Sequence, residues 1–271
     1  MQLANGPSGL SSLHSSSQLM PALAECTNAS RNAALLDAQQ LASRASLVAC
    51  QSSSTNPLAP ERDDLSEMAL HSAVRCEQAG IIGGDVVHVW PTARGVVVFV
   101  ADGAGGTGRG EEAARQAAAT VEAAMASGQL ATADRCVEVL YEADDAILAQ
   151  GRAAEATAVV VVLQGKHLWG ASVGDSGAWL VGDAGFSELT ENQVRKPLLG
   201  SGNAAPVPFE AAFAGTLLVA TDGLLKYASP SSIASVVRLP GLEHAASALL
   251  NSVRLRSGAL QDDVALALVR A

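Results

Sequence analysis

Three motifs in the sequence place an aspartate directly after an apolar segment and before a small residue. These motifs end in Asp102-Gly103, Asp175-Ser176 and Asp222-Gly223. Asp85 follows two glycines, and the pair Asp262-Asp263 precedes the last apolar run of the chain. Aspartates at strand ends of a compact sheet can converge, and carboxylates that converge must be protonated or neutralised by a cation. Because Mg²⁺ and Mn²⁺ prefer oxygen ligands, the pattern predicts a divalent-cation site.

Two alternatives to a cation site are open. Asp-Gly after a strand is common turn chemistry, and turn formation suffices for any one motif taken alone. Residues 103–108 also satisfy the GxGxxG pattern of dinucleotide-binding loops. In that case, however, Asp102 would direct its carboxylate at the pyrophosphate, where a helix N-terminus should provide the compensating charge. The region about 20 residues further on is also predicted to be helical, so it lacks the second strand with its terminal acidic residue.

The cysteine, histidine and serine patterns indicate no other chemistry. The four cysteines include no CxxC pair and have no histidine nearby, so we expect reduced structural thiols rather than a zinc site. The five histidines lack the spacing of a metal-binding helix, and no GxSxG motif provides a serine nucleophile.

Apolar periodicity predicts the elements that carry these residues. We expect strands at 96–101, 156–163, 168–173, 178–181, 216–220 and 264–269, and helices at 111–126, 132–150, 231–237 and 242–254. Short glycine-containing turns between the middle strands favour antiparallel neighbours, because parallel strands need a long crossover connection. The order of elements lacks the strand–helix alternation of a doubly wound fold. We therefore predict an α+β fold with helices packed outside antiparallel sheets.

Residues 1–62 are rich in Ser and Ala and differ from the periodic sequence that follows. We predict a partly disordered N-terminal extension with one helix over Ser30–Ala49 and a linker over Ser52–Pro60. No basic segment precedes an apolar one, so we expect no secretory signal. An organelle transit peptide stays open as an alternative, although Arg31 and Arg44 are the only basic residues before the linker.

The composition excludes several classes of protein. The chain has 271 residues, of which 49% are hydrophobic and 16% charged, and its formal net charge is −10. This length allows a large core, and the aliphatic content argues against a disordered protein. Nucleic-acid binding requires clustered Lys and Arg, and no apolar run approaches the ~20 residues of a membrane span. We therefore expect a cytoplasmic protein with neither a nucleic-acid nor a membrane partner.

In order and spacing, the aspartate motifs resemble those of the metal-dependent protein serine/threonine phosphatases of the type-2C class. The motifs are Gly83-Gly84-Asp85, Asp102-Gly103-Ala104-Gly105-Gly106, Gly174-Asp175-Ser176, Thr221-Asp222-Gly223 and Asp262-Asp263. The first motif is closer to the bacterial branch of the family. The resemblance implies a phosphatase domain over residues 63–271. It also implies a four-layer αββα sandwich, in which two mainly antiparallel β-sheets lie face to face between helices.

By position, the resemblance implies that two Mg²⁺ or Mn²⁺ ions bind at the motifs, with a weaker third ion nearby. The implied ligands are Asp85, Asp102, Gly103 through its carbonyl, Asp175, Asp222 and Asp262. Asp102 would bridge the two ions, Asp85 would act through bound water, and Asp175 would help to hold the third ion. Asp102 and Asp222 would act in catalysis through a metal-bridging water that attacks a phosphoserine or phosphothreonine monoester. Asp263 falls on a position usually held by asparagine, so the resemblance assigns the metal to Asp262.

The chain departs from the family pattern at several positions. Ala104 stands where many members have a histidine, and Gly177 where an arginine is common. No arginine matches the phosphate-binding arginine of the N-terminal motif, since Arg75 lies too far upstream. Two hypotheses are therefore open. The chain is either an active signalling phosphatase with a cognate kinase or regulatory protein, or a weakly active or inactive relative that binds phosphoproteins as a regulatory module.

Overall fold

The computed structural model describes residues 69–80, 83–104, 109–151 and 154–271. The predicted extension over residues 1–62, with its helix Ser30–Ala49 and linker Ser52–Pro60, lies outside the described residues. Within the described ranges the chain forms twelve strands and five helices.

Two five-stranded antiparallel sheets form the centre of the fold. Sheet A consists, in spatial order, of β1 (His71–Glu77), β12 (Val264–Arg270), β11 (Thr216–Ala220), β8 (Gly177–Val181) and β9 (Phe186–Glu188). Sheet B consists, in spatial order, of β10 (Val207–Ala212), β7 (His167–Val173), β6 (Ala158–Gln164), β3 (Gly95–Ala101) and β2 (Val86–Thr92). A separate two-stranded ladder pairs β4 (Gly103–Ala104) with β5 (Glu155–Ala156). The helices are α1 (Arg109–Ala126), α2 (Ala133–Leu148), α3 (Asp222–Leu225), α4 (Pro230–Val237) and α5 (Leu242–Ser252).

Alternation of side chains along the central strands produces the layers of the fold. On β3, Val98 and Val100 are buried between the two sheets, whereas Phe99 is buried with residues of α1 and α2. On β11, Val219 belongs to the core between the sheets, and Leu218 packs with α4 and α5. Successive residues of a strand point to opposite faces, so each of these strands contributes side chains to two hydrophobic cores. The predicted four-layer αββα sandwich is confirmed.

Sequence periodicity missed the two-residue strand β4 and the longer strands β1, β2, β9 and β10. The four longer strands are edge strands of their sheets, and each carries exposed or partly exposed residues instead of a continuous apolar run. The predicted strand over 156–163 is interrupted at Thr157, which separates β5 from β6. The dinucleotide-binding alternative is wrong, because β3 pairs antiparallel with both of its neighbours. No helix in the described part of the chain is long and apolar enough to cross a bilayer.

Candidate metal centre

The β2–β3 pair places two aspartates opposite each other at one end of sheet B. Val86, the first residue of β2, pairs with Ala101, the last residue of β3. Asp85 immediately precedes this pair and Asp102 immediately follows it, so their side chains leave the same end of the ladder. The two carboxyl groups act on each other, since the charge of Asp102 raises the pKa of Asp85. The register of β2 and β3 therefore places Asp85 and Asp102 side by side at this end of sheet B.

Three further aspartates lie at one end of sheet A, where β11 ends and where β8 and β12 begin. Ala220, the last residue of β11, pairs with Gly177, the first residue of β8. Asp175 and Asp222 each lie two residues beyond that pair. Asp262 stands just before β12, the other neighbour of β11. Three aspartates of the motifs therefore meet at this end of sheet A.

The short connection from β7 to β8 joins these two ends, because β7 belongs to sheet B and β8 to sheet A. Gly174 turns the chain there with φ +96°, a conformation that favours glycine. A Cβ at Gly174 would also lie 2.7 Å from Cγ2 of Thr157. Gly174 therefore allows the chain to pass from sheet B to sheet A, and this turn positions Asp175 at the site.

The glycines that follow two of the aspartates are required by close backbone packing. A Cβ at Gly103 would overlap the backbone of Gly110 in the first turn of α1, and a Cβ at Gly223 would overlap the carbonyl oxygen of Asp263. The Gly103 carbonyl oxygen also lies against Gly84, whose added Cβ would be 2.5 Å away. Turn formation alone therefore does not account for the Asp-Gly motifs, since these glycines bring backbone segments together.

Gly110→Ala should destabilise the protein, although alanine is the better helix former. The added Cβ would meet the Gly103 carbonyl, and overpacking of this kind costs about 1–3 kcal/mol. Thermal unfolding with and without Mn²⁺ should show a lower Tm and a smaller stabilisation by the ion. Gly185→Ala is the matched control, because nothing lies within 4 Å of its added Cβ. An unchanged Tm for Gly110→Ala would show that α1 does not fix the position of Gly103.

Burial and mutual repulsion raise the pKa values of three of these aspartates. Burial and then the charge of Asp102 raise the pKa of Asp85 to about 8, against a hydrogen bond from Thr221 that lowers it. Burial and then the charge of Asp222 raise the pKa of Asp102 to about 6, with Asp262 and Asp175 adding to the effect. Burial also raises the pKa of Asp222, and Asp175 and Asp262 raise it further. The carboxylates thus act on one another and form one site, here called the aspartate cluster: Asp85, Asp102, Asp175, Asp222 and Asp262.

The metal-free protein should lose stability as the pH rises from about 4 to about 8. The ordinary pKa of an aspartate is 3.8, so the folded state holds protons on Asp85 and Asp102 more tightly than the unfolded state. The stabilising contribution is complete below pH 3.8 and is lost as the pH passes about 6 and then about 8. Thermal unfolding in a chelator should show a falling Tm, with a smaller slope in Asp85→Asn. A Tm that rises over this interval would contradict the electrostatic assignment.

Buried hydroxyl groups hold two of the aspartates in place. Thr221 donates its hydroxyl to Oδ2 of Asp85 at 2.7 Å, and its Oγ1 accepts the backbone N–H of Ala265 at 3.0 Å. Oγ1 of Thr157 accepts the backbone N–H of Asp102 at 2.9 Å and lies 2.7 Å from Oγ of Ser176. Sequence reasoning missed these roles, although Thr221 and Ser176 stand within the aspartate motifs.

The adjacent residues Asp262 and Asp263 have different surroundings. The carboxylate of Asp263 accepts the backbone N–H groups of Ala79 and Gly84, both at 2.7 Å. It therefore fastens the segment between β1 and β2, which carries Asp85. Asp262 acts electrostatically on Asp102 and Asp222, whereas the charge of Asp263 acts on Asp85 and raises its pKa. The structure thus places Asp262 in the aspartate cluster and Asp263 in a backbone anchor.

Two cationic side chains border the aspartate cluster. Nη2 and Nε of Arg195 donate to Oδ2 of Asp175 at 2.6 and 3.1 Å. Nζ of Lys226 lies 3.9 Å from Oδ2 of Asp222. Arg75 instead binds Glu243 and Ser247 of α5 and the carbonyl of its neighbour Val74. Arg75 is therefore a structural link between β1 and α5.

The donor set suits hard divalent cations. All the candidate donors are oxygens, and burial together with the neighbouring carboxylates raises the pKa values of Asp85, Asp102 and Asp222. Within the described ranges, no group of three or more His, Cys, Asp or Glu side chains lies close enough to hold an ion directly. Mg²⁺ usually keeps several waters and takes only one or two carboxylates, so this spacing is compatible with partly hydrated ions.

A comparison with known protein families finds one match in sequence. The family model of protein phosphatase 2C matches residues 74–197. No curated protein matches the chain in sequence. The match in sequence therefore comes from the family model, and it includes Asp85, Asp102, Gly103 and Asp175.

Several solved structures share the fold. The serine/threonine phosphatase PstP/Ppp of Mycobacterium tuberculosis is 19% identical, with a TM-score of 0.64 over 74% of this chain and 97% of that chain. The S. agalactiae serine/threonine phosphatase is 18% identical, with a TM-score of 0.64 over 75% of this chain and 100% of that chain. PppA of Pseudomonas aeruginosa is 16% identical, with a TM-score of 0.60 over 74% and 97%. The catalytic domain of PstP has also been solved in complex with two manganese ions. The resemblance to bacterial type-2C phosphatases is confirmed.

Proposed function

We propose that this chain, a relative of the type-2C protein phosphatases, hydrolyses phosphoserine and phosphothreonine monoesters in proteins by a metal-dependent reaction. The observation that carries the proposal is the convergence of the aspartate cluster at one end of the sandwich, where burial and mutual repulsion raise the pKa values of Asp85, Asp102 and Asp222. Proteins of the matched family are enzymes, and PstP binds two manganese ions.

The residues that would hold two Mg²⁺ or Mn²⁺ ions are Asp85, Asp102, Asp222, Asp262 and the carbonyl of Gly103, with Asp175 beside a weaker third ion. Bound there, the ions would lower the pKa of a bridging water and neutralise the phosphoryl oxygens during in-line attack. The chain's own contribution is orientation. Thr221 fixes one carboxylate oxygen of Asp85, and Thr157 fixes the backbone of Asp102. Preorganised donors of this kind need little rearrangement during the reaction.

Protonation of the leaving oxygen distinguishes this chain from many members of the family. Ala104, which replaces the usual histidine, lies in β4 opposite Glu155 and carries no proton to donate. We therefore infer that water protonates the leaving serine or threonine oxygen, and that turnover is slower than with a positioned donor. General acid catalysis contributes about 10²–10⁴-fold in rate, so its loss reduces activity without removing the metal-dependent step.

Turnover of p-nitrophenyl phosphate and of phosphoserine and phosphothreonine peptides, with and without Mn²⁺, tests the proposal. We expect activity that requires Mn²⁺ and disappears in a chelator. Metal-independent activity, or none, would contradict it. Binding of phosphopeptides without turnover would favour the second candidate, a phosphoprotein-binding regulatory module, which the alanine at position 104 supports.

The proposal places the protein in the cytoplasm, acting on the products of a cognate kinase or on a regulatory protein. The two described cysteines, Cys76 and Cys136, are free, and free thiols are typical of proteins in a reducing compartment. We also propose that residues 63–271 form the catalytic domain and that residues 1–62 are an extension without ligands for the ions.

A further inference from the structure

The aspartate cluster presents an electrostatic problem for a phosphoryl substrate. The cluster contains five carboxylates, and the whole chain carries a formal net charge of −10. A phosphate monoester is itself an anion, so bound cations and cationic side chains must compensate its charge. The N-terminal motif lacks the arginine that the family resemblance implies, and Arg75, the nearest arginine upstream, is bound to Glu243 and Ser247 of α5. The cationic side chains that border the cluster are Arg195 and Lys226.

Arg195 has the required position. Its guanidinium contacts Asp175 through Nη2 and Nε, and its charge acts on Asp222 as well. The side chain of Arg195 is 78% exposed, whereas that of Asp175 is 27% exposed. Of the five N–H groups of a guanidinium, two point at Asp175 here, and within the described ranges the other three donate to no protein group. Arg195 therefore lies at the solvent side of the cluster with unused donors.

The segment that carries Arg195 is fixed to the site on both sides. Nε2 of Gln193 donates to the carbonyl of Ser176 at 2.8 Å, directly beside Asp175. Further along, Leu199 and Ala156 exchange two backbone hydrogen bonds of 3.0 Å. Ala156 is the partner of Gly103 in the β4–β5 ladder. The backbone around Arg195 is thus positioned by the same elements that position the aspartates.

We propose that Arg195 binds the phosphoryl group of the substrate and so supplies the phosphate-binding arginine that the N-terminal motif lacks. This inference rests on the proposed function. In the free protein, Asp175 holds the guanidinium at the cluster through an exposed and therefore weak ion pair. The planar fork of an arginine can donate two parallel hydrogen bonds to phosphate oxygens, whereas lysine provides only a point charge.

The test compares Arg195→Ala and Arg195→Lys with the wild type on a phosphothreonine peptide in saturating Mn²⁺. We expect Arg195→Ala to raise KM and the inhibition constant of inorganic phosphate together by about 10- to 100-fold, the loss typical of hydrogen bonds to a charged group. The kcat should change by less than about fivefold, and Mn²⁺ affinity and Tm should stay near wild type. Arg195→Lys should recover part of the loss, since it restores the charge but not the fork.

Arg94→Ala is the matched control, because it removes the same charge from the exposed turn between β2 and β3. If KM and phosphate inhibition in Arg195→Ala stay within twofold of the wild type, the inference is wrong. The same holds if Arg195→Ala alters Mn²⁺ affinity but not phosphate inhibition, since Arg195 would then serve only as the counter-ion of Asp175.

A wild type without turnover would refute the proposed function but not decide the role of Arg195. Calorimetric titration of inorganic phosphate into the Mn²⁺-loaded proteins then decides it. Weaker binding to Arg195→Ala than to the wild type and to Arg94→Ala supports the inference, and equal binding overturns it.

Discussion

Replacement of Asp102 or Asp222 by asparagine should abolish metal-dependent phosphatase activity, with a loss of more than about 1,000-fold in kcat/KM. Both side chains belong to the aspartate cluster, and their carboxylates are the charges that divalent ions would neutralise. Bound metal ions contribute several kcal/mol of charge stabilisation in the transition state, so loss of a ligand charge removes a large part of the rate enhancement. Steady-state kinetics with a phosphopeptide in Mn²⁺ measure this effect.

The same substitutions should leave the metal-free fold at least as stable as the wild type. Burial and the charges of neighbouring aspartates raise the pKa values of Asp102 and Asp222, so their ionised forms cost free energy in the folded state. Asparagine has nearly the same shape without the charge, and therefore relieves the repulsion. We expect Tm values in a chelator at about pH 7.5 that match or exceed the wild type. Stabilisation by added Mn²⁺ should be reduced.

Asp183→Asn is the matched control for these variants. Asp183 is an exposed residue in the turn between β8 and β9, and its replacement removes one negative charge away from the aspartate cluster. Activity, Mn²⁺ affinity and Tm of this variant should equal those of the wild type. A large fall of Tm in metal-free Asp102→Asn or Asp222→Asn would show that these aspartates serve the fold rather than the ions.

The layers of the fold could be predicted because the central strands are buried on both faces. β3 and β6 are nearly continuous apolar runs, and β11 and β12 are as well. The edge strands could not be found in this way. β10, for example, alternates between partly buried and exposed residues, and it becomes a strand only through its pairing with β7. Such pairing depends on tertiary structure rather than on local pattern.

The acidic residues of the candidate site could be predicted from the sequence, but the hydrogen bonds and backbone contacts that position them could not. The aspartates stand in local motifs, and each follows or precedes an apolar run. The bond between Thr221 and Asp85 joins residues 136 positions apart, and that between Thr157 and Asp102 joins residues 55 apart. Gly110 likewise has no local signal for its contact with Gly103. These contacts follow from strand register and helix placement, which the sequence pattern does not specify.

Asp262→Asn should lower activity and Mn²⁺ affinity, whereas Asp263→Asn should lower stability, although the two residues are adjacent and chemically identical. Asp262 acts on Asp102 and Asp222 within the aspartate cluster, so its loss should remove nearly all activity and weaken Mn²⁺ binding. The family resemblance also places the metal ligand at Asp262 and an asparagine at position 263. Asp263→Asn should therefore retain most of kcat. A titration of the two variants with Mn²⁺, followed by activity and by calorimetry, measures both effects.

In stability the order of the two variants should be reversed: Asp263→Asn should be less stable than the wild type, and Asp262→Asn should not. The two carboxylate oxygens of Asp263 accept the N–H groups of Ala79 and Gly84, and an asparagine offers only one acceptor oxygen in their place. Loss of one hydrogen bond to a charged group should cost roughly 1.5–3 kcal/mol and lower the Tm of Asp263→Asn. Asp262→Asn should unfold like the wild type in a chelator. The reverse ranking, with weaker Mn²⁺ binding in Asp263→Asn and lower stability in Asp262→Asn, would mean that the entry into β12 is shifted by one residue.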